Sequence, residues 1–167
     1  MIIRNERGAD IEAIAAITKA AFATEPHSHQ TEQFIIAALR AAGALSVSLV
    51  AEADGRVVGH VAFSRVEISD GTTGWYGLGP VSVTPELQRR GIGSALIRAG
   101  LAALQKLGAR GCALVGNPAY YERFGFRQSM ELKLDGVPPE NFLVLRLADE
   151  DQAHGQMTFH KAFWAQE

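Results

Sequence analysis

Apolar and polar positions alternate in a recognisable order along the chain. Residues 1–6 suit a short strand. Ile11, Ile14, Ala15, Thr18 and Phe22 then recur at helical spacing, with Asp10 placed to cap the start. Glu25-Pro26-His27-Ser28-His29 breaks that pattern, and a second helix is predicted over residues 31–41, stopping at Gly43. Residues 45–53 and 56–68 are β-rich runs joined by Asp54-Gly55, a two-residue hairpin signal. A loop at residues 69–74 leads to a third run, 75–83, closed by Pro85. A helix follows from about Gly91 to Leu107, with Gly108 placed to end it. Residues 112–115 form a short apolar strand between Gly111 and Gly116, and 119–124 a short helix ended by Gly125. Residues 126–134, 142–147 and 156–160 supply three more strands, and the tail 158–163 is expected to pack as an edge strand and then exit.

The predicted order is β-α-α-β-β-β-α-β-α-β-β. Hairpins come first and a β-α-β crossover follows, which argues for an α/β (α+β) fold: a mixed sheet with helices on both faces. No repeat, low-complexity tract or Gly/Ser/Pro-rich linker divides residues 1–167, so a single domain is expected.

Composition narrows the function classes. Apolar residues make up 47% and charged residues 20%, enough for a core without staples. The net charge of −2 gives no basic field for nucleic acid or an anionic membrane. Cys112 is the only cysteine, so neither an internal disulfide nor a cysteine zinc cluster can form, and no metal is expected. No apolar run approaches the ~20 residues of a membrane span. Met1-Ile2-Ile3-Arg4-Asn5-Glu6 is too short and too quickly charged for a signal peptide, so a cytoplasmic location is expected.

Chemistry concentrates in Val81-Ser82-Val83-Thr84-Pro85-Glu86-Leu87-Gln88-Arg89-Arg90-Gly91-Ile92-Gly93-Ser94. Gly91 and Gly93 in a first helical turn would cost up to ~1 kcal/mol each relative to Ala. Arg89 and Arg90 place cations at the positive end of the helix dipole, unfavourable by roughly 0.3–1 kcal/mol each. An anion would resolve both oddities by docking on the free N–H groups of the turn. A bare glycine-rich turn with solvated arginines is the bland alternative. A P-loop is disfavoured because no Gly-Lys-Ser/Thr follows, and a dinucleotide fingerprint because its third glycine would fall on Leu96.

Gln88-Arg89-Arg90-Gly91-Ile92-Gly93 resembles the Gln/Arg-x-x-Gly-x-Gly/Ala signature of the GNAT acetyltransferase superfamily. Asn117 with Tyr121-Glu122-Arg123-Phe124-Gly125-Phe126 is similar to its second coenzyme motif. Leu49-Val50-Ala51-Glu52, Val58-Gly59-His60-Val61, Leu78-Gly79-Pro80-Val81-Ser82-Val83 and Gly116-Asn117-Pro118-Ala119-Tyr120-Tyr121 resemble the YhbS-like bacterial subgroup. The resemblance implies a splayed sheet and acetyl-CoA as co-substrate. It implies that the amides of Arg89, Arg90, Gly91, Ile92, Gly93 and Ser94 cradle the pyrophosphate, with Gln88 opening the motif. It further implies that the backbone of Val81, Ser82 and Val83, freed by a bulge at Gly79-Pro80, faces pantetheine and the acyl carbonyl. Asn117 becomes a coenzyme contact, its alternative being a helix cap. Tyr121 becomes the general acid for the leaving thiolate, its alternative being a packed aromatic.

The general base is the gap in the match. Residues 75–83 hold no carboxylate, which leaves Glu67, His60 or a water chain. Glu25, His27 and His29 fall in a loop that in the family often lines the acceptor site; a solvated polar loop is the plainer reading. Cys112, inside an apolar strand, suits a small core residue rather than an acyl carrier. The expected function is transfer of an acetyl group to a primary amine of a small molecule or peptide; a homodimer is left open. A non-catalytic acyl-CoA-binding or sensor protein stays as the alternative. It is favoured slightly by the missing carboxylate and opposed by the retained Tyr121.

Overall fold

The computed structural model describes residues 1–167 and divides the chain into two compact units. The first comprises Met1–Ser64, Gly79–Ala103 and Lys161–Glu167; the second comprises Arg65–Leu78 and Leu104–His160.

In the first unit, β1 (Ile2–Asn5) pairs antiparallel with β2 (Val47–Ala53), which pairs antiparallel with β3 (Arg56–Arg65). The hairpin turn sets its own twist: Asp54 and Gly55 have φ of 51° and 74°, the two positive values a primed turn requires. Helices α1 (Ile11–Phe22) and α2 (Glu32–Ala41) cover one face, where Ile14 and Ile36 pack on Val50. The opposite face meets α3 (Ile92–Lys106): a Cβ on Gly59 would lie 3.0 Å from Leu96 and 3.3 Å from Ile92. A Cβ on Gly100 would likewise overlap the ring of Phe63, so both glycines permit close approach of helix and strand. Both α2 and α3 end in the same cap. Ala44 N–H bonds Leu39 O and Ala109 N–H bonds Leu104 O, across left-handed Gly43 and Gly108.

Two expectations change here. Asp10 makes no side-chain cap to α1; its carboxylate accepts from Arg7 N–H at 2.7 Å and from the Arg4 guanidinium at 2.8 Å. It closes the 3-10 turn Gly8–Asp10 instead. The C-terminal tail is not an edge strand: Lys161–Trp164 forms a 3-10 turn whose Ala162 packs on Ile35 and Leu39 of α2.

In the second unit, the first part of β5 (Trp75–Val83) pairs in parallel with β6 (Gly111–Val115) over three positions, Trp75–Gly111 to Gly77–Ala113. The long β-rich run before it divides, because Val66 turns its N–H to Trp75 O and leaves β4 (Glu67–Ile68) to another sheet. The run 126–134 divides as well, into β7 (Arg127–Gln128) and β8 (Leu132–Lys133). Between them the Ser129 hydroxyl accepts from the N–H groups of Glu131 and Leu132, ending the first ladder. β9 (Phe142–Arg146) pairs antiparallel with both β6 and β7. β10 (Gly155–Thr158) sits between β4 and β8 in a small three-stranded sheet. The main strand order is β1-β2-β3-β5-β6-β9-β7, a mixed, splayed sheet in which β5 belongs to both units and changes unit at Gly79.

Trp75 anchors the second core with Leu132, Phe142, Val144 and Met157. Its indole N–H donates to Asp151 at 3.1 Å, and Arg146 stacks over the ring at 5.5 Å. Trp164, in the first unit, is 81% exposed. No helix is long and apolar enough to cross a membrane.

Candidate active-site residues

The turn that follows β5 lies wholly in the first unit. Pro85–Leu87 make a 3-10 turn, Gln88 is extended, and the chain then passes through two left-handed residues, Arg89 (φ 64°) and Gly91 (φ 87°). The first N–H to enter the helical ladder is that of Ala95, which bonds Gly91 O at 3.0 Å. The N–H groups of residues 89–93 donate to no backbone carbonyl. Gly91 therefore stands just outside α3, not in its first turn. A side chain there would carry the cost of a left-handed conformation, roughly 1–2 kcal/mol, rather than a helix-propensity cost. Arg89 tolerates that region without the glycine's freedom, a local strain of the kind that collects at functional turns.

The side-chain amide of Gln88 donates to Val83 O at 3.1 Å, latching the turn to the end of β5. Arg89 and Arg90 are exposed and form no ion pair. Ile92 is buried and anchors the helix start, while Gly93 and Ser94 are half-buried. Within β5, Ser82 is buried and its hydroxyl lies 3.3 Å from that of Thr18 in α1; Val81 is half-buried and Val83 buried. Irregular backbone does fall where expected, at Gly79 (φ 139°), whose bond to Pro80 is cis.

Asn117 and Tyr121 lie in the second unit, around helix α4 (Pro118–Tyr121). Asn117 is the N-cap: its Oδ1 accepts from Ala119 N–H at 3.0 Å, and its carbonyl from the N–H groups of Tyr120 and Tyr121. Tyr121 is half-buried among Tyr120, Phe124 and Phe126, with ring centroids at 4.9, 6.2 and 6.1 Å. Its hydroxyl makes no hydrogen bond within the chain. Burial first, and then the neighbouring Tyr120, push its pKa up to about 12. Beside α4 opens a surface concavity of about 490 Å³ lined by Ala119, Glu122, Arg123 and Arg127. Arg123 is held there by a 2.8 Å bond to Tyr120 O and by its stack on the Tyr120 ring.

The candidates for the base fare differently. Glu67 is exposed on β4. His60 has 0% exposure, and its Nε2 is committed to Ser48 Oγ at 2.7 Å. Glu25, His27 and His29 are all exposed in the loop between α1 and α2. Cys112 is fully buried, and burial pushes its thiol well above the usual range, as befits a core residue. Two neighbours of this site were given no role from sequence: Gly116, which packs against the Tyr121 ring and stood only inside the phrase 116–121, and Asn141, which bonds Gly116.

The acetyltransferase (GNAT) domain family model matches residues 44–128. The uncharacterised N-acetyltransferase YhbS of Escherichia coli K12 is 32% identical over 169 residues, covering 98% of each chain. Among solved structures, a GNAT family acetyltransferase from Brucella melitensis in complex with acetyl-CoA is 48% identical, covers 97% of each chain and superposes with a TM-score of 0.86. Escherichia coli YhbS in complex with CoA is 32% identical, covers 97% of this chain and 91% of its own, and gives a TM-score of 0.89. Motif, topology and these likenesses agree: the chain belongs to the GNAT acetyltransferase family, in its YhbS-like subgroup.

Proposed function

We propose that the chain, acting as one acyltransferase domain, transfers an acetyl group from acetyl-CoA directly to a primary amine of a small molecule or peptide. The observation that carries this reading is the row of backbone N–H groups at residues 89–93 that find no backbone carbonyl in the chain, the first two belonging to arginines that form no ion pair. Such a turn is built for a diphosphate: the amides supply hydrogen-bond donors, left-handed Gly91 keeps the approach open, and Arg89 and Arg90 add attraction. Ser94 closes the cradle, and Gln88 keeps it registered on β5. The crystallised relatives hold acetyl-CoA and CoA, which supports the same co-substrate here.

The reaction needs three things. The amine nitrogen attacks the thioester carbon, and the carbonyl oxygen becomes an oxyanion. Backbone N–H groups of Val81, Ser82 or Val83 suit its stabilisation, since past Gly77 the strand has ladder partners on the β3 side only. The carbon–sulfur bond then breaks, and the departing thiolate takes up a proton, for which Tyr121 is the donor. With its pKa near 12, the phenol stays protonated at any physiological pH. It is a weaker acid than a thiol of pKa ~8.5, so it first hydrogen-bonds the sulfur as charge develops; when its proton passes to the thiolate, the phenolate left behind is reprotonated from solvent. Complete burial of His60 speaks against it as the base and leaves water or exposed Glu67 to take the proton leaving the amine.

Two measurements test the reading. Thiol release from acetyl-CoA should appear with at least one amine in a panel of amino acids, polyamines, aminoglycosides and peptides; binding without release from any of them would favour the sensor alternative. Gly93→Val should weaken acetyl-CoA binding by tenfold or more in calorimetry, and an unchanged affinity would place the diphosphate elsewhere.

A further inference from the structure

Tyr121 stands on an unusual floor. The backbone of Gly116, just past the end of β6, packs against the Cδ2–Cε2 side of its ring: a Cβ at Gly116 would sit 2.5 Å from Tyr121 Cε2 and 2.9 Å from Cδ2. No real Cβ tolerates such distances, and the atoms it would meet belong to a rigid ring, not to the end of a flexible chain. The glycine is itself clamped twice to one partner. Its N–H donates to Asn141 O at 2.9 Å, and its carbonyl accepts from Asn141 Nδ2 at 3.0 Å. Asn141 closes the 3-10 turn Pro139–Asn141, which leads directly into β9. The floor is thus tied to a central strand of the second unit.

The remaining sides of the ring are walled. Tyr120 and Phe126 meet it edge-on at interplanar angles of 90° and 77°, and Phe124 is tilted at 50°. The half-buried ring is thus gripped by three aromatic neighbours and Gly116, while the hydroxyl bonds nothing in the chain. A phenol gripped by its ring and left free at its oxygen is oriented toward something outside itself. Positioned groups of this kind lose rate steeply when displaced, since a shift of about 1 Å can cost on the order of 10²-fold.

We propose that Gly116 and Asn141 are positioning residues for Tyr121: the doubly clamped glycine sets the height and tilt of the phenol, so that its hydroxyl meets the leaving sulfur of the coenzyme. The proposal rests on the acid role assigned to Tyr121 above. Gly116→Ala lifts the ring while keeping the hydroxyl. Asn141→Ala removes the side-chain half of the clamp, the bond from Nδ2 to Gly116 O, and leaves the ring's own contacts alone; it serves if Gly116→Ala does not fold.

The experiment combines kinetics with the resonances of selectively labelled tyrosine. Gly116→Ala and Asn141→Ala should each lower kcat by about tenfold or more, while KM for acetyl-CoA stays within about twofold. In a Tyr121→Phe background the same substitutions should change kcat by less than about twofold, because the group they orient is gone. The Tyr121 ring resonances should shift in both single variants. Equal loss of kcat with and without the hydroxyl would show that the clamp serves only the fold and overturn the proposal. If Tyr121→Phe alone keeps wild-type kcat, the acid role fails and positioning for catalysis fails with it. Unmoved ring resonances in the two variants would instead overturn the positioning while leaving the acid role standing.

Discussion

Ser48 Oγ lies 2.7 Å from His60 Nε2, and that contact decides which nitrogen of the imidazole carries the proton. The Ser48 hydroxyl donates its only hydrogen to Glu6. Burial pushes the Glu6 carboxyl up, but the nearby His60 and the hydrogen bonds from Arg40 and Ser48 outweigh it and hold the group well below the usual carboxylate range. The direct His60–Glu6 distance is 3.7 Å, too long for a hydrogen bond, so the linkage runs through Ser48. An ionised Glu6 can only accept. Ser48 Oγ must therefore accept from His60, which fixes the Nε2–H tautomer and leaves Nδ1 as a bare, buried lone pair without a partner.

The first prediction concerns pH. Burial, only partly opposed by Glu6, holds His60 below its ordinary 6.5, with Arg40 pushing the same way. The unfolded chain then takes up a proton that the folded chain refuses, so stability falls as pH drops below about 6.5. Glu6 adds a second loss below about 4.5, where the unfolded carboxylate protonates first. Thermal midpoints should decline between pH 7 and 5.5, and His60→Gln should flatten that decline. Nitrogen chemical shifts should report neutral, Nε2-protonated His60 at pH 7. A midpoint independent of pH in the wild type would contradict the assignment.

The second prediction separates strain from binding at the turn. Arg89 has φ 64°, so Arg89→Gly should leave the thermal midpoint unchanged or raise it, by up to about 1 kcal/mol of stability. The same change removes a cation beside the free amides and should raise the acetyl-CoA dissociation constant several-fold. Gly91→Ala should do the opposite for stability, costing roughly 1–2 kcal/mol at φ 87°. Differential scanning calorimetry and isothermal titration on the two variants check both signs.

A third prediction follows from the buried phenol. Tyr121→Phe should lower kcat about tenfold or more with little change in acetyl-CoA affinity. Tyr120→Phe, whose ring supports Arg123, should matter much less. Since the Tyr121 pKa is pushed up to about 12, ionisation of this group should produce no fall in kcat below about pH 10. A wild-type alkaline limb under pH 10 that disappears in Tyr121→Phe would contradict the pKa direction.

Local chemistry made much of this legible in the sequence. Asp54-Gly55 marked the hairpin because only positive φ at both positions matches the strand twist, and Gly43 and Gly108 marked helix ends for the same conformational reason. The limits of β5 were readable from Trp75 to Val83 because its apolar run is closed by Pro85. What stayed hidden depends on contacts distant in sequence. Asp10 suited a cap until Arg4 and Arg7 were seen to claim its carboxylate. The run 126–134 looked continuous because a serine hydroxyl collecting two amides leaves no trace in hydropathy. In the candidate site, the turn proposed to hold the diphosphate was visible as glycines and arginines in the wrong place for a plain helix. The floor under Tyr121 was not, since Gly116 and Asn141 are 25 residues apart.

The two tryptophans give the molecule a built-in optical readout. Trp75 is sealed in the second unit, with Asp151 on its indole N–H and Arg146 over its ring, and Gly111 is a glycine because a Cβ there would overlap it. Trp164, in the first unit, stands in water. Native fluorescence is therefore the sum of a blue, quencher-protected emitter and a red, quencher-accessible one, each belonging to a different unit. Replacing either by Phe leaves a single lamp, and melting of the two units becomes separable by colour.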